Sequence, residues 1–266
     1  MPIRTAHPQA PASGAALGIV PARVEATDAA DAARARALLD RDGAVLLAGL
    51  APTADALVVA AALALGDRLR RLFPVRRRTS RDADPVHLHA DSFDLTVDVG
   101  GVPTRRRDPD EDHVLVQCVR PSDSGGASFV ADAYRFVDEC AAADPELWTF
   151  LTTADVDLYG AWAGLRGLPA TPRVGRHVEY TRTGRRIVRR TDGAVPLHRD
   201  PEADHVRAML ARLDERVRET ERTLPRFAVA PGEILLLDNY RCWHGRDGHP
   251  GDREVRILTL RSADAR

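Results

Sequence analysis

Apolar and polar positions along the 266-residue chain fall into two regimes, a helical one first and a mostly β one after it. Residues 27–40 (TDAADAARARALLD) are rich in the helix formers Ala, Leu and Arg, and Asp42-Gly43 stops the helix soon after. Ala44-Val45-Leu46-Leu47 follows as a short strand. Thr53 caps a second helix that runs to about Leu65, with Gly66 as its stop. Its face is almost wholly apolar, so this helix must be buried. From Pro74 the character changes. An Arg-rich loop is expected up to Pro85, then Val86-His87-Leu88-His89 as a strand. Val114 to Val119 and Ala127 to Ala131 are further strands, joined by a turn from Pro121 to Gly126. Residues 91–113 contain Gly100-Gly101, Pro103 and the run RRRDPDEDH. A polar connection of that length is expected to be a lid, a binding loop or disordered.

Two more helices are expected, from Asp132 to about Ala142 and from Asp144-Pro145-Glu146, where Asp caps and Pro takes the first helical position. Residues 154–197 are read as short strands and loops. Asp200-Pro201-Glu202 repeats the cap signature and opens the longest helix, to about Thr223. In the stretch Pro231 to Arg261, a Pro-Gly turn precedes the buried strand Ile234 to Leu237. Asp238, Asn239, Arg241 and His244 come next, then a Gly/Pro-rich turn and a returning strand, Val255 to Leu260. The expected result is a hairpin-like unit with His244 at a strand end and Arg256 on the next strand. The order of elements argues for an α+β fold with an antiparallel, barrel-like β part. Residues 1–20, rich in Ala, Pro and small polar residues, are expected to be a mobile extension, and 21–266 a single domain.

Composition narrows the partners. With 44% apolar and 29% charged residues this is an ordinary soluble chain, and 38 basic against 39 acidic side chains leave a net charge of -1. That balance gives no bulk attraction to nucleic acid or anionic membrane, so the expected partners are small molecules. Every basic residue is Arg and Asn239 is the only Asn, which suggests a GC-rich source and weakens any functional weight on Arg counts. Three cysteines without CxxC spacing indicate neither a disulfide framework nor a zinc knuckle, and fit a reducing cytoplasm. No secretory signal is seen. The longest apolar run, Ala56 to Leu65, is far short of the roughly 20 residues of a membrane span.

Candidate chemistry centres on histidine. His244 alone is open to three readings: metal ligand, general base or loop residue. His89-Ala90-Asp91 adds an imidazole and a carboxylate that an extended backbone sends to one side. With a distant His they make a two-histidine, one-carboxylate facial triad, which leaves three positions on a ferrous ion for a chelating cosubstrate and oxygen. The His-x-Asp/Glu triplet selects little by itself, because His177-Val178-Glu179 and His198-Arg199-Asp200 also occur. Asp200 is expected to cap a helix, and His177 lies in a poorly patterned region, so context favours His89.

That context is wider than the triad. Residues 114–139 include Gly125-Gly126-Ala127-Ser128, and the tail reads PGEILLLDNYRCWHGR with Arg256 twelve residues past His244. From about Ala44 to Arg261 the chain resembles the Fe(II)/2-oxoglutarate-dependent dioxygenases of the taurine dioxygenase, clavaminate synthase and γ-butyrobetaine hydroxylase superfamily. The resemblance implies a double-stranded β-helix (jelly roll) core flanked by helices. It implies that His89, Asp91 and His244 bind Fe(II), that Arg256 pairs with the remote carboxylate of 2-oxoglutarate, and that Ser128 hydrogen-bonds it. Arg253 is a rival for the arginine role; Arg256 is preferred because apolar alternation resumes around it.

The implied reaction couples decarboxylation of 2-oxoglutarate by O2 to hydroxylation or a related C–H oxidation of a small polar metabolite, an amino acid or derivative of specialised metabolism. The other reading is a non-redox metal hydrolase or ligand-binding jelly roll. Ser92 and Phe93, directly after the metal motif, are candidate substrate contacts. So is Arg105 with its neighbours Arg106 and Arg107, although Asp108, Asp110, Glu111 and Asp112 nearby also fit a solvated loop.

Overall fold

The computed structural model describes residues 17–26, 28–108, 111–164 and 172–266. Two β-sheets face each other. The larger has seven strands, ordered Ala22–Glu25, Ala44–Ala48, Ile234–Asp238, His113–Arg120, His249–Ser262 and Leu69–Leu72, with Arg76–Ala83 also paired to the long His249–Ser262 strand. The smaller is ordered Gly18–Ile19, Ser128–Asp132, Cys242–Arg246 and Val86–His89. Leu46, Val114, Val130, Leu235, Leu237 and Cys242 fill the space between them. The first sixteen residues of the expected extension lie outside the described residues, and Gly18–Ile19 at its end is a strand of the smaller sheet.

Both outer faces are covered by helices. Helices α1 (Ala29–Asp42) and α2 (Ala54–Leu65) pack Leu39, Leu57, Ala61 and Leu65 on Val45, Leu47, Leu115, Leu236 and Leu258 of the larger sheet. Helices α3 (Ala133–Ala143), α4 (Pro145–Thr153) and α5 (Ala203–Thr223) cover Leu88, Phe129 and Trp243 of the smaller. This is the jelly-roll core flanked by helices. The caps form as the sequence suggests at Thr53 and Asp144, whose side chains accept from Ala56 N at 3.2 Å and Leu147 N at 3.1 Å. Asp200 instead accepts from Glu202 N in a turn before α5.

Three sequence expectations change. The tail is not a hairpin: His113–Arg120 lies between Ile234–Asp238 and His249–Ser262, and Cys242–Arg246 crosses to the opposite sheet. His244 is thus inside a strand. The Arg-rich segment expected as a loop is the edge strand Arg76–Ala83. The expected polar loop is an antiparallel hairpin, Phe93–Val99 with Val102–Asp108, turning at Gly100-Gly101 with φ of 63° and 84°. Its first strand does alternate, FDLTVDV, but the charges that follow obscured the pattern.

Candidate metal centre

Strand alternation delivers the central residues. Leu88 and Trp243 point outward into the helix-covered core, so His89 and His244 point between the sheets. The two histidines are cross-strand partners with ring centres 4.5 Å apart. His89 Nε2 lies 3.7 Å from Asp91 Oδ1, and one donor atom from each of His89, Asp91 and His244 falls within 4.8 Å of the others.

The surroundings hold this cluster in place. His89 Nδ1 is 2.9 Å from the His87 carbonyl, which orients the ring and leaves Nε2 for a ligand. The Asn239 carboxamide clamps the Asp91 backbone, accepting from its N–H at 2.8 Å and donating to its carbonyl at 3.0 Å and to the Glu111 carbonyl at 2.8 Å. Asn239 therefore orients Asp91. Neighbouring Arg241 ties Asp132 to the Arg41 carbonyl, and Trp243 packs on Phe136, so both serve the fold.

The donor set fits a metal on two observations: Asp91 Oδ2 and His244 Nδ1 are buried without a hydrogen-bond partner, and two imidazoles with one carboxylate suit ferrous iron. Burial disfavours the Asp91 anion, yet His89, His244 and Arg76 outweigh it and hold the carboxyl well below its usual range. Burial and the nearby His89 push His244 down to about 4, so its imidazole is neutral near pH 7. For His89, burial lowers the pKa but the Asp91 carboxylate wins and raises it.

The sequence profile of the taurine catabolism dioxygenase TauD, TfdA family matches residues 5–260. The chain belongs to the TauD/TfdA family. It is accordingly an oxidoreductase of the Fe(II)/2-oxoglutarate-dependent dioxygenase class. No curated protein matches the sequence. Among solved structures, a taurine dioxygenase from Burkholderia xenovorans is 17% identical with a TM-score of 0.61, over 93% of this chain and 90% of that one. PvcB from Pseudomonas aeruginosa is 18% identical with a TM-score of 0.54, over 88% and 83% of the two chains. An asparagine oxygenase is 16% identical with a TM-score of 0.57, over 88% and 78%. These likenesses share the fold.

In this TauD/TfdA chain the remaining site candidates part ways. Ser128 is buried opposite Arg246, two residues along the strand from the Val130–His244 pair and so about 7 Å from it. Arg256 is not brought to the centre. It lies on the helix-covered face with Leu258 and Leu260, and its guanidinium donates to the Pro52 carbonyl ahead of α2. Arg253 shares its parity with Val255 and Ile257, which face inward. Its guanidinium has no hydrogen-bond or ion-pair partner among the described residues. Burial and the adjacent Arg246 both lower its pKa. A Cβ at Gly126 would sit 2.7 Å from Ser122 Oγ and in ordinary contact, 3.9 Å, with Arg253 Cδ, so the double glycine packs next to this arginine.

A cavity of about 540 Å³ reaches His89 and Asp91 past Ser92, Arg107, Trp162 and Arg190. Ser92 Oγ accepts from Arg107 Nε at 2.7 Å, and Phe93 packs on Phe73 with centroids 4.7 Å apart. Arg105 lies opposite Thr96 in the hairpin, with its side chain outside the described residues. Arg107 of that triplet lines the cavity, lying 5.2 Å from the Trp162 ring centre. Neither decoy histidine joins the centre: His177 is buried against the Arg189 carbonyl, and His198 is exposed.

Proposed function

We propose that His89, Asp91 and His244 hold the catalytic Fe(II) of this dioxygenase, and that it oxidises a C–H bond of a small, polar, amino-acid-like metabolite. The observation that carries this reading is the gathering of two imidazole nitrogens and one carboxylate oxygen within 4.8 Å. Bound Fe(II) supplies a chelation site for a 2-oxo acid and activation of O2. In the overall reaction 2-oxoglutarate becomes succinate and carbon dioxide, one oxygen atom entering succinate and the other the hydroxylated product.

The chain's own residues position the reactants. Asn239 fixes the Asp91 backbone, and the His87 carbonyl fixes the His89 ring. Arg253, with the Ser128 hydroxyl and Arg246 beside it, receives the remote carboxylate of 2-oxoglutarate; this replaces the role expected of Arg256. A guanidinium fork suits a carboxylate, and the Arg253 fork has no hydrogen-bond or ion-pair partner among the described residues, whereas Arg246 is held on the Asp247 and Asp84 carbonyls. Trp162, stacked on Tyr159, forms an aromatic wall of the cavity that reaches His89 and Asp91.

For the substrate class, the asparagine oxygenase structure is described as a complex with Fe(II), hydroxyasparagine and succinate, and PvcB as an Fe, α-ketoglutarate-dependent oxygenase from an isonitrile synthetic pathway. A place in specialised metabolism follows that precedent. The net charge of -1 supports small molecules rather than nucleic acid as partners. No helix among the described residues is long and apolar enough to cross a membrane, and a cytoplasmic location is part of this proposal.

The test is succinate formation from 2-oxoglutarate and O2 by Fe(II)-loaded protein. Turnover in the wild type that falls by at least about 1,000-fold in Asp91→Ala supports the assignment. Equal succinate formation in Asp91→Ala would overturn it.

A further inference from the structure

His89 ends Val86–His89, the outermost strand of the smaller sheet. Among the described residues one strand pairs with it, and that pairing is interrupted by a register shift between His244 and Arg246. The open side of an edge strand presents alternate backbone N–H groups that need acceptors from elsewhere. Here those of Leu88 and Ala90, on either side of His89, are both met. Leu88 N donates to Glu221 Oε2 at 3.0 Å, and Ala90 N donates to the Arg190 carbonyl at 3.0 Å.

Both contacts trace back to α5. Asp214 and Glu221 are seven residues apart, about two turns, so they share one face of that helix, with the buried Val217 between them. Asp214 Oδ1 takes Arg190 Nη2 at 2.9 Å, which steadies the residue that offers its carbonyl to Ala90. Glu221 reaches His89 by a second route as well. Its Oε1 lies 3.0 Å from His87 Nδ1, and the His87 carbonyl lies 2.9 Å from His89 Nδ1. The Glu221 side chain is 12% exposed, so its charge-assisted hydrogen bond to the strand is little diluted by water.

We propose that Glu221 is a positioning residue of the metal centre, which holds His89 in place for the ion from the outer side of the sheet, while the Asp214–Arg190 pair steadies the segment at Ala90. The inference rests on the reading of His89 as a metal ligand and gives α5 a part in that site. Ala90 stands between the two ligands His89 and Asp91, so slack in this segment displaces both donors relative to His244 on the next strand. Outer groups of this kind orient a ligand without touching the ion. Asp214, Val217 and Glu221 also line the cavity that reaches His89 and Asp91, so one helix face shapes the space over the centre and fixes the strand that carries it.

The test is anaerobic calorimetric titration of the intact metal-free protein with Fe(II), with hydrogen exchange at the Leu88 amide measured beside it. Glu221→Ala should raise the Kd for Fe(II) roughly 10–100-fold and speed exchange at Leu88. Glu221→Gln keeps an oxygen acceptor at the same reach and should stay within about threefold of the wild type. Glu221→Asp draws the acceptor back from the strand, should weaken Fe(II) binding in the same direction as Ala, and serves if the Ala variant does not fold. Glu219→Ala, on the exposed side of α5, should change neither reading. A merely structural role would lower the Tm and leave the Kd of the folded protein where it was. An Fe(II) Kd unmoved in the Ala and Asp variants, a Gln variant as weak as Ala, a Glu219→Ala variant as weak as Glu221→Ala, or unchanged exchange at Leu88 in Glu221→Ala would each overturn the proposal. A wild type that binds no Fe(II) would sink the metal reading itself, and this inference with it.

Discussion

Arg185 and Arg253 are arginines withdrawn from water in two regions of one barrel, and they do opposite things. Arg185 donates to Asp112 at 2.6 Å and to Asp238 at 2.8 Å, and lies 4.9 Å from the Tyr240 ring centre. Asp112 is fully buried and also accepts from the Ser262 backbone N–H at 2.8 Å and from the Ser262 hydroxyl. Burial opposes its ionisation, but His113, Arg185 and Ser262 outweigh that and hold the carboxyl far below its usual range. Here every charge has its counter-charge within the chain. Arg253 has no ion-pair partner among the described residues. A buried cation whose anion is built in ties the fold together; one whose anion is missing keeps a place for a ligand.

That contrast can be broken by substitution. Arg185→Leu strips Asp112 and Asp238 of their partner and should lower the free energy of unfolding by about 3–5 kcal/mol, read by urea denaturation. A loss below about 1 kcal/mol would mean that the cluster is not structural. Arg253→Leu should do the reverse, raising the Kd for 2-oxoglutarate roughly 100-fold while leaving stability within about 1 kcal/mol.

Proton competition sharpens the picture at the metal. The raised His89 pKa means a proton occupies its ligand site over more of the pH range, so Fe(II) affinity should fall about tenfold per unit as pH drops through and below that pKa. His244, pushed down to about 4, adds nothing to this dependence between pH 5 and 8. A flat metal affinity from pH 8 to 5 would contradict the ligand set. The smallest effect is expected at Arg256→Leu, with stability changed by about 0.5 kcal/mol or less and 2-oxoglutarate affinity unchanged.

Arg253 and Arg256 also mark where the sequence stops being legible. The gathering of His89, Asp91 and His244 was readable because His89 and Asp91 are two apart on an extended segment and His244 sits in a dense block of polar residues after a buried strand. The jelly roll was readable from the same motifs. Which arginine faces inward was not. The His249–Ser262 strand is apolar on both faces, with Ile257 toward the interior and Leu258 toward α2, so alternation separates the faces without telling which is inside.

The edge strand that opens at Arg76 was missed for a different reason. The strand RRRTSRDA carries no apolar residue until its final Ala83 and reads as a loop, because an edge strand is held by one neighbour's hydrogen bonds and needs no hydrophobic face. Arg107 was named only as one of a triplet within a run of charges. The crossing of Cys242–Arg246 to the opposite sheet is a tertiary event that no local pattern signals.

The measurement that tests the central claim most directly is an anaerobic titration of the metal-free protein with Fe(II) and then 2-oxoglutarate, followed by visible absorption. The account predicts a charge-transfer band that is absent in His244→Ala. Arg253→Leu should need far more 2-oxoglutarate to develop it, and Arg256→Leu no more than the wild type. Correctly folded, iron-loaded protein that shows no band, or a band that survives in His244→Ala, would contradict it.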